Sequence, residues 1–166
     1  MEPELRKWHT DKRVALAIKN LKKNCFAATY VEHPRDAVDL IMKMIPAGST
    51  IALGDSLTFR EIGGLRALEE RGDPFLNPWE KGITREESLA LRRRAFTTDF
   101  FLTGTNALTL DGKLVSVDGL GNRVAAMVFG PKKVVVVVGI NKLVNDLEEA
   151  FRRIKTVSAP LNARRH

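Results

Sequence analysis

Two short stretches of the sequence place glycine beside hydroxyl, amide or guanidinium side chains just after an apolar run. They are "IALGDSLTFREIG" (residues 51–63) and "DGLGNRVAAM" (residues 118–127). A glycine turn that opens a helix leaves peptide N–H groups free, and such groups bind phosphate or carboxylate. Both stretches therefore predict anion-binding turns that lead into helices.

In the first stretch, Gly54 allows a tight turn, while Ser56 and Thr58 supply hydroxyls beside the free amides of the helix. We expect Gly54, Asp55, Ser56 and Thr58 to contact the anion. The alternative is purely structural, because Asp55 or Ser56 also suits the N-cap of a helix.

The second stretch offers a different set of groups. Gly119 and Gly121 suit positive φ angles or close approach of a ligand, Asn122 suits an N-cap, and Arg123 carries a rigid guanidinium fork. We expect these four residues to contribute to anion binding. A capping asparagine and a surface arginine are the alternative.

A third polar segment, "TGTNAL", follows the apolar run "DFFL". Thr105 and Asn106 are expected to line the same crevice at the strand ends, although both also suit a turn. For acid–base catalysis the best-placed carboxylates are Glu61, one turn into the first helix, and Asp118, directly before the second turn. Either would need burial beside a substrate to bring its pKa toward neutrality.

Several chemistries are not predicted. Cys25 is the only cysteine, so an internal disulfide and a cysteine-only metal cage are excluded. The histidines His9, His33 and His166 are far apart, and we expect no metal site. There is no Walker lysine and no G-x-S-x-G elbow, and "GLGNRV" has Val124 where a dinucleotide fingerprint needs its third glycine. We therefore expect no cofactor.

The net charge of +7 is spread along the chain and mixed with acidic residues. This distribution does not predict a nucleic-acid surface, but it favours small anions. No apolar stretch reaches the roughly 20 residues that span a bilayer, and the charged start is unlike a signal peptide. We expect a cytoplasmic protein without membrane contact.

The helices and strands that must position these residues are predicted from the spacing of apolar residues and from the glycine, proline and capping residues between them. A long N-terminal helix carries an apolar stripe from Leu5 and Trp8 to Leu21, and Asp111-Gly112 marks a hairpin within 105–118. The remaining strands are predicted at 26–32, 49–55, 98–104 and 132–139, and the remaining helices at 34–45, 56–72 with a break at Gly63-Gly64, 84–96, 121–129 and 141–154.

The five consecutive valines of "KKVVVVVG" predict a strand buried on both faces, as in a parallel sheet between helices. The predicted fold class is α/β: a three-layer α/β/α, Rossmann-like, mainly parallel sheet with an antiparallel hairpin insertion. In such sheets ligands bind at the carboxyl ends of the strands.

The run "TGTNALTLDGKLVSVDGLGNRVAAMVFGPKKVVVVVGINKLV", with "GDSLTFREIG" upstream and "APLNARR" downstream, closely resembles the LUD domain, the lactate-utilisation family of bacterial proteins. The resemblance implies a fold of the NagB/RpiA/CoA-transferase-like superfamily. It places Gly54, Ser56 and Thr58 at that superfamily's phosphate loop. The expected organisation is a helix at 1–24 packed on a LUD-like domain at 25–166.

LUD proteins are associated with oxidation of L-lactate to pyruvate, in systems where partner subunits carry iron–sulfur clusters. The resemblance therefore implies a protein without its own redox centre that binds a small anionic metabolite and assists L-lactate or organic-acid utilisation beside such partners. One alternative is a stand-alone isomerase or acyl/CoA transferase, with Glu61 or Asp118 as base or nucleophile. Another is a non-catalytic regulatory or scaffold subunit, in which Trp8 and its stripe could form a homodimer.

Overall fold

A computed structural model describes residues 2–165 of the chain. These residues form α-helices and β-strands that are interspersed along the chain. The helices are α1 (Pro3–Lys23), α2 (Pro34–Met44), α3 (Leu57–Glu61), α4 (Gly64–Arg71), α5 (Arg85–Arg94), α6 (Asn122–Val128), α7 (Leu147–Arg153) and α8 (Ala159–Arg165). The strands are β1 (Ile51–Leu53), β2 (Phe75–Leu76), β3 (Phe100–Gly104), β4 (Ala107–Thr109), β5 (Leu114–Val115), β6 (Lys133–Val137) and β7 (Leu143–Val144). A π-helical turn, Ile154–Ser158, joins α7 to α8.

The chain divides into two compact units, each built from separated segments. Unit 1 combines the chain up to Tyr30 with Thr105–Val117 and the chain from Val138 onward. Unit 2 combines Val31–Gly104 with Asp118–Val137. All of the first predicted turn and all of the second therefore belong to unit 2.

Unit 2 contains a four-stranded, wholly parallel sheet in the order β2-β1-β3-β6. Side chains that alternate along β1 and β3 pack into two apolar clusters. One contains Leu53 and Leu102 with residues of α2, α3 and α4, and the other contains Ala52 and Phe101 with Ala126 of α6. Helices thus cover both faces of this sheet, which confirms the predicted α/β class and its mainly parallel sheet.

The local signals for helix ends are confirmed in unit 2. Pro34 is the first residue of α2, and Thr84 and Glu87 form a reciprocal capping box at the start of α5. The helix predicted at 56–72 is divided into α3 and α4 at Gly63, whose φ of 88° is left-handed.

The valine strand differs from its prediction. Val134–Val137 are half-buried rather than buried on both faces, because β6 lies at an edge of the sheet and pairs only with β3. The fully buried strand is β3, which lies between β1 and β6. A short strand, β2, also forms in a segment where the sequence predicts neither a helix nor a strand, and it pairs with β1.

Unit 1 contains a second sheet, in the order β5-β4-β7. Strands β4 and β5 form the predicted antiparallel hairpin, with Gly112 in its turn at a φ of 82°. A Cβ on Gly112 would lie 2.7 Å from the backbone of Asn20, so glycine lets α1 pack against the turn. The Asn20 amide also donates to the Leu110 carbonyl at 2.8 Å.

Two predictions in this part of the chain are wrong, and a third holds only in part. No strand forms at 26–32, where Phe26 and Tyr30 are 44% and 42% exposed and no sheet neighbour covers them. The helix predicted from residue 141 begins at Leu147, because Leu143 pairs with β4 as part of β7. The apolar stripe of α1 is buried only from Val14 onward, since Leu5 and Trp8 are exposed.

Within residues 2–165, no helix is long and apolar enough to cross a bilayer. The same residues contain no group of three or more His, Cys, Asp or Glu side chains arranged to hold a metal ion. His166 lies outside the described residues.

Candidate functional site

Two glycines bring the carboxyl ends of β1 and β3 together in unit 2. Gly54 follows β1, and its N–H donates to the Leu102 carbonyl at 2.8 Å. A Cβ on Gly54 would lie 2.3 Å from Thr103 Oγ1, and a Cβ on Gly104 would lie 2.7 Å from Ser56 Oγ. Only glycine fits at either position, so the first turn packs directly against the end of β3.

The side chains of the first turn mainly organise α3. Ser56 is buried, and its hydroxyl oxygen accepts a hydrogen bond from the Phe59 N–H at 3.2 Å, which makes it the N-cap of α3. Asp55 is half-buried, with Oδ1 4.0 Å from Arg60 Nη2. Thr58 is half-buried in the first turn of the helix. The capping alternative therefore accounts for Ser56.

The second turn opens α6 with a left-handed glycine. Gly121, at a φ of 78°, is the N-cap, and Asn122 is the first helical residue rather than the cap. Gly119 and Gly121 are exposed, and a Cβ on either would meet nothing within 4 Å. At Gly121 glycine is needed for its backbone angle, and the space beside both residues is open.

Asp118 and Arg123 connect this turn to the end of β3. Arg123 is buried, and its Nε donates to Asp118 Oδ1 at 2.8 Å while Nη1 donates to the Gly104 carbonyl at 2.8 Å. The second Asp118 oxygen accepts from the Val124 N–H at 2.7 Å, in the first turn of α6. Both predicted turns therefore converge on Gly104.

An arginine that the sequence reasoning missed lies beside these turns. Arg92 of α5 is half-buried, and its guanidinium lies 4.8 Å from the centre of the Trp79 ring. Arg60 lies 5.9 Å from the same ring. Burial lowers the pKa of Arg92, and the carboxylates of Asp55 and Asp118 act against that shift. Arg92 is thus within electrostatic reach of both turns.

Arg92 is also distinctive in what it does not bind. Across residues 2–165 its guanidinium makes no hydrogen bond and no ion pair, and its contact is with Trp79. Its neighbours Arg93 and Arg94 are exposed. The available signal was spacing: Arg92 follows the half-buried Leu89 by three residues, which places both on one face of a helix.

The two carboxylates predicted for acid–base catalysis have different surroundings. Asp118 uses both oxygens to hold Arg123 and Val124. Glu61 is the exposed last residue of α3. Among residues 2–165, the cluster at the strand ends contains three guanidinium groups and two carboxylates, with one positive charge in excess. Those charges belong to Arg60, Arg92, Arg123, Asp55 and Asp118.

Thr105 and Asn106 belong to unit 1, where they serve the hairpin. The Thr105 hydroxyl donates to the Val115 carbonyl at 2.9 Å. Asn106 Oδ1 accepts from the Val117 N–H at 3.0 Å. These are hydrogen bonds of turn residues, which the sequence left open as the alternative for both.

A separate surface hollow of unit 2 lies between the start of α2 and the start of α4. Its lining includes Arg35 and Arg66, together with the carboxylates of Asp39 and Glu70. Arg66 Nε lies 2.7 Å from Glu70 Oε1, so this arginine already has a counter-ion. The hollow therefore has no excess of charge comparable to that at the strand ends.

The architecture of unit 2 defines an α/β protein with a parallel sheet and a cationic cluster at the carboxyl ends of its strands. The chain belongs to the LUD domain family, whose family model matches residues 14–166. This confirms the resemblance seen in the sequence, and the family associates the chain with lactate utilisation in general. No curated protein and no solved structure was found to match the chain.

Proposed function

We propose that this LUD-domain protein binds a small anionic metabolite at the strand-end cluster of unit 2. In this way it assists utilisation of L-lactate or a related organic acid beside partner redox subunits. The observation that carries the proposal is the Arg92 guanidinium, half-buried against Trp79 and without a hydrogen-bonded counter-ion in the described chain.

A guanidinium removed from water without a partner is costly, and a bound carboxylate or phosphate lowers that cost. The planar fork of arginine matches a carboxylate with two parallel hydrogen bonds. Burial lowers the pKa of Arg92 because it disfavours the charged guanidinium. An anion that pairs with the guanidinium stabilises this charged form. The open space beside Gly119 and Gly121 supports access of a ligand to this end of the sheet.

The charge balance favours a monoanion. Counted over the described residues, the cluster has one positive charge in excess, and Arg123 already pairs with Asp118 and donates to Gly104. Arg92 is therefore the group assigned to the ligand, with Arg60 and the first-turn amides beside Thr58 as secondary contacts. Lactate and pyruvate each carry one carboxylate, which fits this balance and the family association.

Asp118 is assigned a positioning role rather than that of a base, since both of its oxygens accept hydrogen bonds, one from Arg123 and one from the Val124 N–H. We call these two contacts the Asp118 brace. Glu61 is exposed at the end of α3 and is not held beside the cluster by any contact described above. No feature of the site therefore favours a stand-alone isomerase or transferase over a binding protein. The partner redox subunits are proposed from the family association alone.

Calorimetric titration tests the proposal, with lactate, pyruvate, phosphosugars and CoA esters as ligands. We expect Arg92→Gln to weaken binding of the preferred anion by at least about tenfold, or about 1.4 kcal/mol. Arg93→Gln is the matched control, because it removes the same charge from an exposed position on the same helix. Absence of binding by the folded protein, or equal binding by both variants, would refute the assignment.

A further inference from the structure

Strand β6 leaves one side of its backbone open. It pairs with β3 on one side, and the described strands include none that pairs with its other side. The Lys133 N–H donates at 2.9 Å to the carbonyl of Asp99, which directly precedes β3. The backbone N–H and C=O groups of Lys133 therefore face β3. The direction of the peptide groups alternates along a strand. The peptide groups of Val135 and Val137 therefore also face β3, whereas those of Val134 and Val136 face away from it.

The outward peptide groups have no partners within the described range. Neither Val134 nor Val136 forms a backbone or side-chain hydrogen bond on that side. Both residues are half-buried, and their outward peptide groups form a row of unpaired donors and acceptors that a second strand can bind. The only charged residue of β6 is Lys133 at its start, and 134–137 contain no proline, no charge and no glycine that would block pairing there.

We infer that this edge pairs with the same edge of a second copy of the chain, antiparallel and about a twofold axis. Centred on Val135, this register places Val134 opposite Val136 of the second copy, and all the outward groups of these residues are then hydrogen-bonded. The charge distribution favours the same arrangement. Lys133 lies opposite Val137 of the second copy, so the two lysines are at opposite ends, whereas a parallel pairing would align them.

The other edge of this sheet cannot extend the assembly. Strand β2 has two residues and lies between Pro74 and Pro78, and proline cannot donate to a sheet. With one available edge in the sheet of unit 2, pairing of this edge with its own copy is isologous and closes at two copies instead of forming a filament. The side chains of Val134 and Val135 already pack in the two clusters of unit 2, so the contact is made through the backbone.

Two measurements on the intact chain test this inference. Light scattering over about a hundredfold range of concentration should give twice the mass of one chain at the upper end. Amide hydrogen exchange followed by NMR should show the Val134 and Val136 amides slowing by at least about tenfold as the dimer forms. Val135 and Val137 are internal controls, because their amides bond to β3 in either state.

The variant Val136→Pro removes one outward N–H and leaves the ladder to β3 intact, so we expect it to be a folded monomer. A chain that stays monomeric at every concentration overturns the inference. So does a dimer whose Val134 and Val136 amides stay unprotected, or one abolished by Trp8→Ser but kept in Val136→Pro, which would place the contact on α1. If Val136→Pro does not fold, the amide pattern of the unchanged chain decides.

Discussion

The ion pair between Asp118 and Arg123 leads to a prediction that distinguishes two roles of Asp118. The sequence made this carboxylate a candidate catalytic base, whereas the structure gives it a role in stability. The two side chains are only 8% and 10% exposed, and Asp118 also accepts from the Val124 N–H. Asp118→Asn keeps the shape but removes the negative charge and turns one acceptor into a donor. Breaking a buried ion pair from one side costs about 3 kcal/mol or more.

Urea unfolding measures this loss. Trp79 reports on unit 2 when Trp8→Phe removes the other tryptophan of the sequence. With an m-value of about 2 kcal/mol/M, a loss of about 3 kcal/mol lowers the midpoint by roughly 1.5 M at an unchanged slope. Glu70→Gln breaks the exposed pair with Arg66 and serves as the control, with a midpoint close to that of the unchanged chain.

A fall of less than about 0.5 M for Asp118→Asn would mean that the carboxylate contributes little to the fold. This result would refute the structural role of Asp118 and would favour its role as a catalytic base. A large fall together with unchanged anion binding per folded molecule would separate the brace from the ligand contacts.

Two further predictions concern the sheet ends. Gly104→Ala should lower stability by about 2 kcal/mol because its Cβ would lie 2.7 Å from Ser56 Oγ, whereas Gly119→Ala, with nothing within 4 Å, should change the thermal midpoint little. The hydrogen bond from Lys132 is the chief cause that holds the pKa of Asp99 well below its usual range, so its stabilising effect is present above the ordinary aspartate pKa of about 4 and is lost on acidification. Asp99→Asn should therefore lower the thermal midpoint at pH 7, with a difference that shrinks below about pH 4; a pH-independent difference would contradict this.

Features set by local interactions were predictable from the sequence. Pro34, the Thr84–Glu87 capping box and the break at Gly63 act within one helical turn, and each lies where the sequence placed it. The hairpin at Asp111-Gly112 is of the same kind. Their physical causes need no knowledge of distant residues, and the α/β class follows from their order.

Features set by long-range pairing were not predictable in this way. A run of valines is compatible with a central strand and with an edge strand. Only the strand order of the folded sheet shows that β6 lies at an edge. Leu143 has helical spacing to Leu147, yet pairing with β4 makes it a strand residue. Arg92 looked like one of three surface arginines until its contact with Trp79 distinguished it from Arg93.

The division of the chain bears on its synthesis in the cell. The backbone passes between the two units after Tyr30, Gly104, Val117 and Val137, so unit 2 has all of its residues once Val137 has been translated. Unit 1 contains the first helix but also needs residues beyond Val138. At about 5–20 residues per second, synthesis of those residues follows that of α1 by roughly 6 to 30 seconds. Until then, the apolar residues that α1 buries in the finished unit 1, Val14, Ala17 and Leu21, lack the later part of that unit.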